Sequence, residues 1–317
     1  MPVNSSPGNT CDQQSRVPVS NSANPCLIGA AAPFWFLAPA LGIVGTFFLL
    51  PILLAFLLSF TDFDIYSLAD LRNTRLVGLE NYSRLFQTEL FWKALLNTFF
   101  FVLIGGPLSV GASLTVALLL HSKLTRFRGL FRTLFFAPVV TTLVAVAVVW
   151  RYLYHKEYGL LNYAISWFGI APVDWLGDPR FSMLSIILLA VWKNFGYNMV
   201  IFMAGLQAIP ESLYEAAHVD GANYWQQLRR ITLPMLAPTF LFVAVTTMIG
   251  YFQLFAEPYV MTRGGPQEST YSLVYYMYEQ GFRYWNLGYA SAIAFVLFIF
   301  VALGTFLQMR LGREVLA

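Results

Sequence analysis

The run FWFLAPALGIVGTFFLLPILLAFLLSF, residues Phe34–Phe60, contains no charged residue. It is longer than the roughly 20 apolar residues with which a helix crosses a hydrocarbon core about 30 Å thick. A secretory signal peptide would carry an apolar region of only about 7 to 15 residues behind a short basic start. We therefore interpret this run as a first membrane span and not as a cleaved signal.

The rest of the chain has the same character. Of its 317 residues, 58% are hydrophobic and 11% are charged, whereas soluble domains carry roughly 25% charged residues. The spans must be helices, because unpaired backbone groups are too costly in lipid and a β-barrel would need alternating segments of roughly ten residues. The sequence predicts an all-α polytopic membrane protein with six transmembrane helices. The later spans are expected at Ala94–Leu120, Thr133–Tyr154, Ser182–Leu206, Met235–Glu257 and Tyr289–Met309.

The two ends of the chain differ from this apolar middle. Residues 1–33 begin with a stretch rich in Ser, Asn and Pro, which cannot bury enough apolar surface to fold alone, so we expect a disordered tail. Residues 34–309 form the six-helix transmembrane domain, and residues 310–317 are a short C-terminal end. Six spans place both termini on the same side of the membrane.

The distribution of basic residues favours a cytoplasmic location for both ends. The totals on the two sides are nearly equal, but four basic residues crowd the short turn at 121–133, namely Lys123, Arg126, Arg128 and Arg132. Cytoplasmic loops carry such an excess. The formal net charge is only +3, without a polybasic face, so nucleic acid is not an expected partner.

Metal and disulfide chemistry are not indicated. Cys11 and Cys26 both lie in the N-terminal tail, and no two of the three histidines form an H-E-x-x-H pattern. The chain also lacks the G-x-x-x-x-G-K-[ST] loop that binds nucleotide phosphates. ATP, if it is used, is therefore expected on another polypeptide.

Two other classes of membrane protein are alternatives. An integral-membrane enzyme would need a catalytic constellation at the membrane surface, and Asp62 with Asp64 is the only close acidic pair beside a span. A secondary, ion-coupled transporter would usually carry a buried carboxylate near the midplane. No Asp or Glu lies at the centre of a predicted span, and Glu257, at the end of the fifth, is expected to reach water.

The loop between the fourth and fifth spans, residues 207–234, includes the regular stretch IPESLYEAAHVDGANYWQQLRRITLP. Ser212 with Glu215 has the spacing of a capping box, and Asn223 with Gln226 repeats it. Gly221 suits a left-handed C-terminal cap. The loop is therefore predicted to form two short helices, the first with an apolar stripe that needs a surface to dock against.

Within this loop, Glu215-Ala216-Ala217, Gly221 and the segment 231–234 match the pattern EAA-x3-G-x9-I-x-L-P. The chain thereby resembles the permease subunits of binding-protein-dependent ABC importers. Further matching segments point to the carbohydrate-uptake branch, with its maltose-type and glycerol-3-phosphate-type importers. They are VGLENY at 77–82, Asn97-Thr98, FRTLFFAP at 131–138, YGLLN at 158–162 and TRGGP at 262–266.

This resemblance implies the type I ABC importer permease fold and a location in the bacterial inner membrane. The chain would translocate a sugar, oligosaccharide or polyol that an extracytoplasmic binding protein delivers. A second permease subunit would complete a heterodimer, and two ATPase subunits would hold the ATP and Mg, so the chain itself would be neither an enzyme nor a cofactor carrier.

The resemblance also implies a coupling contact, in which the Glu-Ala-Ala helix lies in a cleft of the ATPase. The residues assigned to it are Glu215, Ala216, Ala217, Asp220 and Gly221. The alternative for Glu215 is that it only caps its own helix.

Polar residues inside spans indicate where a solute could bind, because such residues are costly in lipid unless they face a cavity or a partner. In maltose-type relatives the helices on either side of the loop supply sugar contacts. Asn198 and the threonines could instead form hydrogen bonds between helices. The predicted substrate path consists of Lys193, Asn194, Tyr197 and Asn198 in the fourth span and Thr247, Tyr251 and Gln253 in the fifth.

Overall fold

The computed structural model describes residues 32–122 and 127–316, and its regular secondary structure there is helical. The described residues divide into two compact units, 32–52 and 53–316. The helices are α1 (Ala32–Val44), α2 (Leu50–Leu58), α3 (Ile65–Ala69), α4 (Glu80–Gln87), α5 (Glu89–His121), α6 (Arg128–Val140), α7 (Leu143–Leu153), α8 (Leu160–Ser166), α9 (Pro179–Gln207), α10 (Glu211–Val219), α11 (Tyr224–Gln227), α12 (Leu233–Met235), α13 (Ala237–Phe252), α14 (Ala256–Met261), α15 (Leu273–Tyr278) and α16 (Leu287–Leu316).

The first unit consists of α1, a π-helical turn at Gly45–Leu49 and the start of α2. No residue from 37 to 52 is buried. A helix with apolar side chains on every side is suited to lipid, because all its backbone hydrogen bonds are internal.

The predicted fold class is confirmed. Within the described residues, five helical segments are long and apolar enough to cross a membrane, and a bent pair of helices supplies a sixth. The sixth is the third predicted span, and the other five overlap the remaining predictions. These five segments are Leu37–Leu58, Glu89–His121, Pro179–Gln207, Ala237–Met261 and Leu287–Gly312.

The third predicted span, Thr133–Tyr154, is not one straight helix. It divides into α6 and α7, whose axes differ by 100°. Thr141 and Thr142 between them have extended backbone angles. The proline at 138 removes one backbone donor from the last turn of α6, and this weakens the helix before the break.

Helices α5 and α9 form the centre of the second unit. A cluster of buried side chains joins them to α7 and α13, and it includes Phe101, Ile186 and Tyr251. Helix α6 crosses α9 so closely that a Cβ atom on Gly196 would lie 2.0 Å from the carbonyl oxygen of Phe135. Only a glycine fits at this crossing.

Side-chain amides hold the loops that follow the first and fifth spans. Asn81 Nδ2 donates to the carbonyl oxygens of Ser59 at 2.9 Å and Thr61 at 2.8 Å. Asn97 Nδ2 donates to the carbonyls of Glu268 at 2.8 Å and Tyr271 at 3.0 Å. The buried backbone groups of these loops thus have partners, as folded proteins require.

Asn162 does the same for the loop after the third span. Its Nδ2 donates to the carbonyls of Lys156 and Val173, both at 2.9 Å. Its Oδ1 accepts from the backbone N–H of Val173 at 3.1 Å and from Nε1 of Trp175 at 2.9 Å. One buried amide therefore sets the path of the whole loop.

The structure describes the two ends of the chain to different extents. The disordered tail, 1–33, lies outside the described residues except for its last two, which belong to α1. The C-terminal end, 310–317, continues α16 as far as Leu316.

Candidate functional site

A cavity of about 450 Å³ lies between the middle of α9, the end of α13 and the break in the third span. The structure brings six of the seven predicted path residues to it. They are Asn194, Tyr197 and Asn198 from α9, and Thr247, Tyr251 and Gln253 from the fifth span.

Lys193 is the path residue that does not line this cavity. It is 8% exposed, and its Nζ donates to the carbonyl oxygens of Pro138 at 3.2 Å and Thr141 at 3.0 Å. These carbonyls lie at the C-terminal end of α6, where a helix leaves acceptors without partners and where the helix dipole favours a cation. Lys193 therefore stabilises the bend between α6 and α7.

Asn198 and Thr247 join the two helices that form the cavity wall. Asn198 Nδ2 donates to Thr247 Oγ1 at 2.9 Å. The alternative expected for Asn198, a hydrogen bond between helices, is thus observed, although both residues also line the cavity. The bond fixes the spacing between α9 and α13 at the site.

Tyr251 supplies an aromatic face and a hydroxyl. It is 5% exposed, and its ring stacks on Phe101 with the centroids 4.9 Å apart. The hydroxyl is buried without a hydrogen-bond partner. Rings beside free hydroxyl and amide groups suit a sugar, whose apolar faces stack and whose hydroxyls exchange hydrogen bonds.

Glu257 was expected to reach water, and this expectation is wrong. The fifth span bends after α13, and the short helix α14 turns Glu257 into the cavity, where it is 7% exposed. Apart from the backbone N–H of Glu257 itself, no donor or cation among the described residues pairs with its carboxylate. The sequence offered one signal, a carboxylate four residues after Gln253 and directly before Pro258 in an apolar segment.

The loop between α9 and α13 forms the two short helices that were predicted, α10 and α11. Gly221 has φ +73°, and the N–H of Ala222 donates to the carbonyl of Ala217 at 2.9 Å. These are the features of a left-handed helix end. Asn223 and Gln226 form the expected capping box, with both hydrogen bonds at 2.9 Å.

The first predicted capping box is wrong. Helix α10 begins at Glu211, with Pro210 at the cap and no side-chain hydrogen bond there. Ser212 is thus already inside the first turn, two positions after the cap. Glu215 is exposed and makes no hydrogen bond or ion pair with another described residue. The alternative role for Glu215, capping its own helix, is therefore not observed.

Helix α10 has no buried residue, and it contacts the bundle through Tyr214. The Tyr214 hydroxyl lies 2.9 Å from Thr232 Oγ1, in the π-helical turn Leu228–Thr232 that continues α11. The ring of Tyr214 packs against a buried cluster that includes Leu206 of α9 and Val243 of α13. Tyr214 thus links the loop to a cluster to which both α9 and α13 contribute.

A second cavity, of about 850 Å³, lies between this loop and the adjacent ends of α5 and α9. Its walls include His121, Arg128 and His218 beside Tyr214 and Leu206. A displacement of α10 would change its shape.

The loop between the fifth and sixth spans carries the TRGGP segment. Burial and the hydrogen bond that Tyr271 donates to Glu279 raise the pKa of Tyr271, so its hydroxyl stays protonated at neutral pH. Glu268 pairs with Lys93 at 3.0 Å. Gly264 has φ +82°, and a Cβ there would lie 2.5 Å from the Tyr271 ring. The segment is a rigid turn.

Residues 93–316 match the family described as binding-protein-dependent transport system inner membrane component. The chain is 36% identical over 284 residues to the lactose transport system permease protein LacF of Rhizobium radiobacter, covering 88% of this chain and 93% of the relative. It is 34% identical to the arabinooligosaccharides transport system permease protein AraP of Bacillus subtilis (strain 168), covering 89% and 88%.

The fold is similar to that of a chain in a bacterial ABC transporter involved in the import of the acidic polysaccharide alginate. The TM-score is 0.75 at 22% identity, covering 90% of this chain and 96% of the other. The chain belongs to the family of binding-protein-dependent transport system inner membrane components. It is a multi-pass inner-membrane permease subunit, and this confirms the importer interpretation over the enzyme and secondary-transporter alternatives.

Proposed function

We propose that this chain translocates a sugar or oligosaccharide along a path that it forms with a second permease subunit. An extracytoplasmic binding protein delivers the solute, and ATP hydrolysis on two ATPase subunits drives transport. The observation that carries the proposal is the arrangement of α9 and α13. The middle of α9 and the end of α13 line the polar and aromatic cavity. The two helices are joined by the exposed loop that contains the Glu-Ala-Ala segment.

The solute class is supported by the chemistry of the cavity and by the relatives. LacF serves lactose and AraP serves arabinooligosaccharides, as their names state. Six cavity residues are proposed as solute contacts, and Lys193 is proposed to act through the bend that it stabilises. The contacts are Asn194, Tyr197, Asn198, Thr247, Tyr251 and Gln253.

The coupling contact is proposed for one face of α10 and the turn after it. Exposed apolar side chains on helices outside the spans favour a protein partner: Val219 is 88% exposed and Trp225 is 67% exposed. The proposed contact residues are Glu215, Ala216, Ala217, Asp220 and Gly221. This loop then lies in the cytoplasm, and so do both termini.

Closure of the ATPase subunits would displace α10. Because Tyr214 packs against the buried cluster that α9 and α13 share, that displacement acts on both helices. The Asn198–Thr247 hydrogen bond lies at the cavity wall between them. The same movement therefore changes the shape of the solute site.

Uptake into proteoliposomes tests the function. The vesicles hold this chain with its second permease and ATPases, and labelled lactose, maltose, arabinotriose or an alginate trisaccharide is presented with the binding protein. Uptake of one solute that requires both internal ATP and the binding protein is the expected result. Uptake that follows an ion gradient without ATP would contradict the proposal and favour a secondary transporter.

The coupling contact is tested by Glu215→Ala in the same vesicles. Solute-stimulated ATP hydrolysis should fall at least ten-fold while the complex still assembles. The control is Glu80→Ala, which removes an exposed carboxylate from the first turn of α4, far along the chain from the coupling loop. Equal stimulation in the two variants would exclude Glu215 from the contact.

A further inference from the structure

Glu257 is the one charged side chain among the described residues that line the cavity, and the proposed contacts do not include it. Its carboxylate faces the cavity at 7% exposure, without a hydrogen bond or ion pair to another described residue. Burying an unpaired carboxylate is costly, and folded proteins usually provide it with a partner. A buried charge without an internal partner points to a partner that arrives from outside.

Lys193 does not provide that partner. It is the cation whose charge acts on Glu257, but its ammonium is beyond ion-pair distance. It is occupied instead by the carbonyl oxygens of Pro138 and Thr141, at 3.2 and 3.0 Å. Apart from the N–H of its own backbone, the Glu257 carboxylate has no hydrogen-bond donor among the described residues, so it can accept further hydrogen bonds from a solute.

The groups around Glu257 define what that solute must offer. The Tyr251 hydroxyl is buried next to Ser109 and Asn194, and the amides of Asn194 and Gln253 line the same cavity. A carboxylate can only accept hydrogen bonds, up to two at each oxygen. Two neighbouring hydroxyls of a sugar ring satisfy it, whereas a carboxylate or phosphate on the solute would bring acceptor against acceptor and like charge against like charge.

We propose that Glu257 determines the charge specificity of this permease, by accepting hydrogen bonds from a vicinal hydroxyl pair and by excluding anionic sugars. This inference rests on the proposed function and narrows it. Neutral oligosaccharides are the substrate class, in contrast to the acidic alginate of the structurally similar importer.

The test measures solute binding to the detergent-purified complex of this chain with its second permease and ATPases, without the binding protein. Saturation-transfer NMR compares equal mixtures of lactose with lactobionate and of maltose with maltobionate. In each pair the second sugar carries a terminal carboxylate. The wild-type complex should favour the neutral member at least ten-fold for the sugar that it transports. Equal binding of both members would overturn the proposal.

Variants test whether the preference for the neutral sugar depends on Glu257. Glu257→Gln keeps the shape but removes the charge, and the neutral preference should fall below three-fold. Glu257→Asp keeps the charge and should keep the preference, as should Glu80→Gln, which changes an exposed carboxylate far from the cavity. A preference unchanged in Glu257→Gln overturns the inference. If Glu257→Gln fails to assemble, the proposal is judged on the binding ratio of neutral to anionic sugar in the wild-type complex and in Glu257→Asp.

The two proposals fail in different ways. If no panel sugar requires ATP and binding protein for uptake, the proposed function is wrong. If a neutral sugar is transported but Glu257→Gln does not change the selectivity, or no sugar contact is detected in the complex, only the role of Glu257 is wrong.

Discussion

Replacing Lys193 with Met separates a structural role of this lysine from a direct solute contact. At the end of α6 the ammonium makes hydrogen bonds of 3.0 and 3.2 Å to the carbonyls of Thr141 and Pro138, and a third at the limiting distance of 3.5 Å to that of Val139, which is left out of the sum. Hydrogen bonds to charged groups contribute about 1.5–3 kcal/mol each, so their loss costs roughly 3–6 kcal/mol. Removing a buried charge from a span returns about 2.5–3.5 kcal/mol. Taking the centre of each range, about 4.5 and about 3 kcal/mol, the net destabilisation is about 1.5 kcal/mol.

Thermal unfolding of the purified complex measures this difference. A loss of about 1.5 kcal/mol lowers Tm by roughly 2 °C, because unfolding 317 residues carries an entropy of about 0.67 kcal/mol/K. The control is Lys93→Met, which breaks an exposed ion pair with Glu268 that contributes at most about 1 kcal/mol. An unchanged Tm together with a raised KM for the solute would refute the structural role, and it would place Lys193 on the substrate path that the sequence predicted.

Three further substitutions test the packing, the coupling loop and a loop amide. Gly196→Ala places a Cβ 2.0 Å from the Phe135 carbonyl oxygen, so it should destabilise the fold by about 1–3 kcal/mol and reduce assembly of the complex. The control, Gly106→Ala, has no atom within 4 Å of the added Cβ and should assemble normally. Equal yields of the two variants on size exclusion would contradict the close crossing of α6 and α9. Gly221→Ala forces a left-handed residue at a cost of about 1–2 kcal/mol and should reduce solute-stimulated ATP hydrolysis; full stimulation would show that the turn is not needed. Asn162→Asp replaces the amide donor that serves two carbonyls and should lower stability by about 2–4 kcal/mol, with a change in tryptophan fluorescence that an unaffected loop would not give.

The spans and the coupling loop were predictable because their signals are local. A chain cannot leave backbone groups unpaired in lipid, so uncharged runs such as Phe34–Phe60 must be helical. The cap at Gly221 depends only on the conformational freedom of one residue. Asn194 and Tyr251 were found because polar side chains in spans are costly unless they face a cavity.

The surroundings of Lys193 and Glu257 could not be predicted, because they depend on contacts distant in sequence. The acceptors of Lys193 lie more than 50 residues away, at a bend that no local pattern marks beyond one proline. Glu257 is buried because the span bends after Phe252 and α14 turns inward. In both cases the break in the helix, and not the residue type, decides whether the charge meets water, backbone or cavity.

The three asparagines that hold the loops affect how much entropy is lost when the binding protein docks. Asn81, Asn97 and Asn162 fix the loops on one end of the bundle through hydrogen bonds formed during folding. Under the proposed orientation this end receives the binding protein. A surface whose loops are already ordered loses little entropy when a partner arrives. The receiving face then acts as a fixed template, and the conformational change of the transport cycle is left to the opposite end, where α10 is exposed.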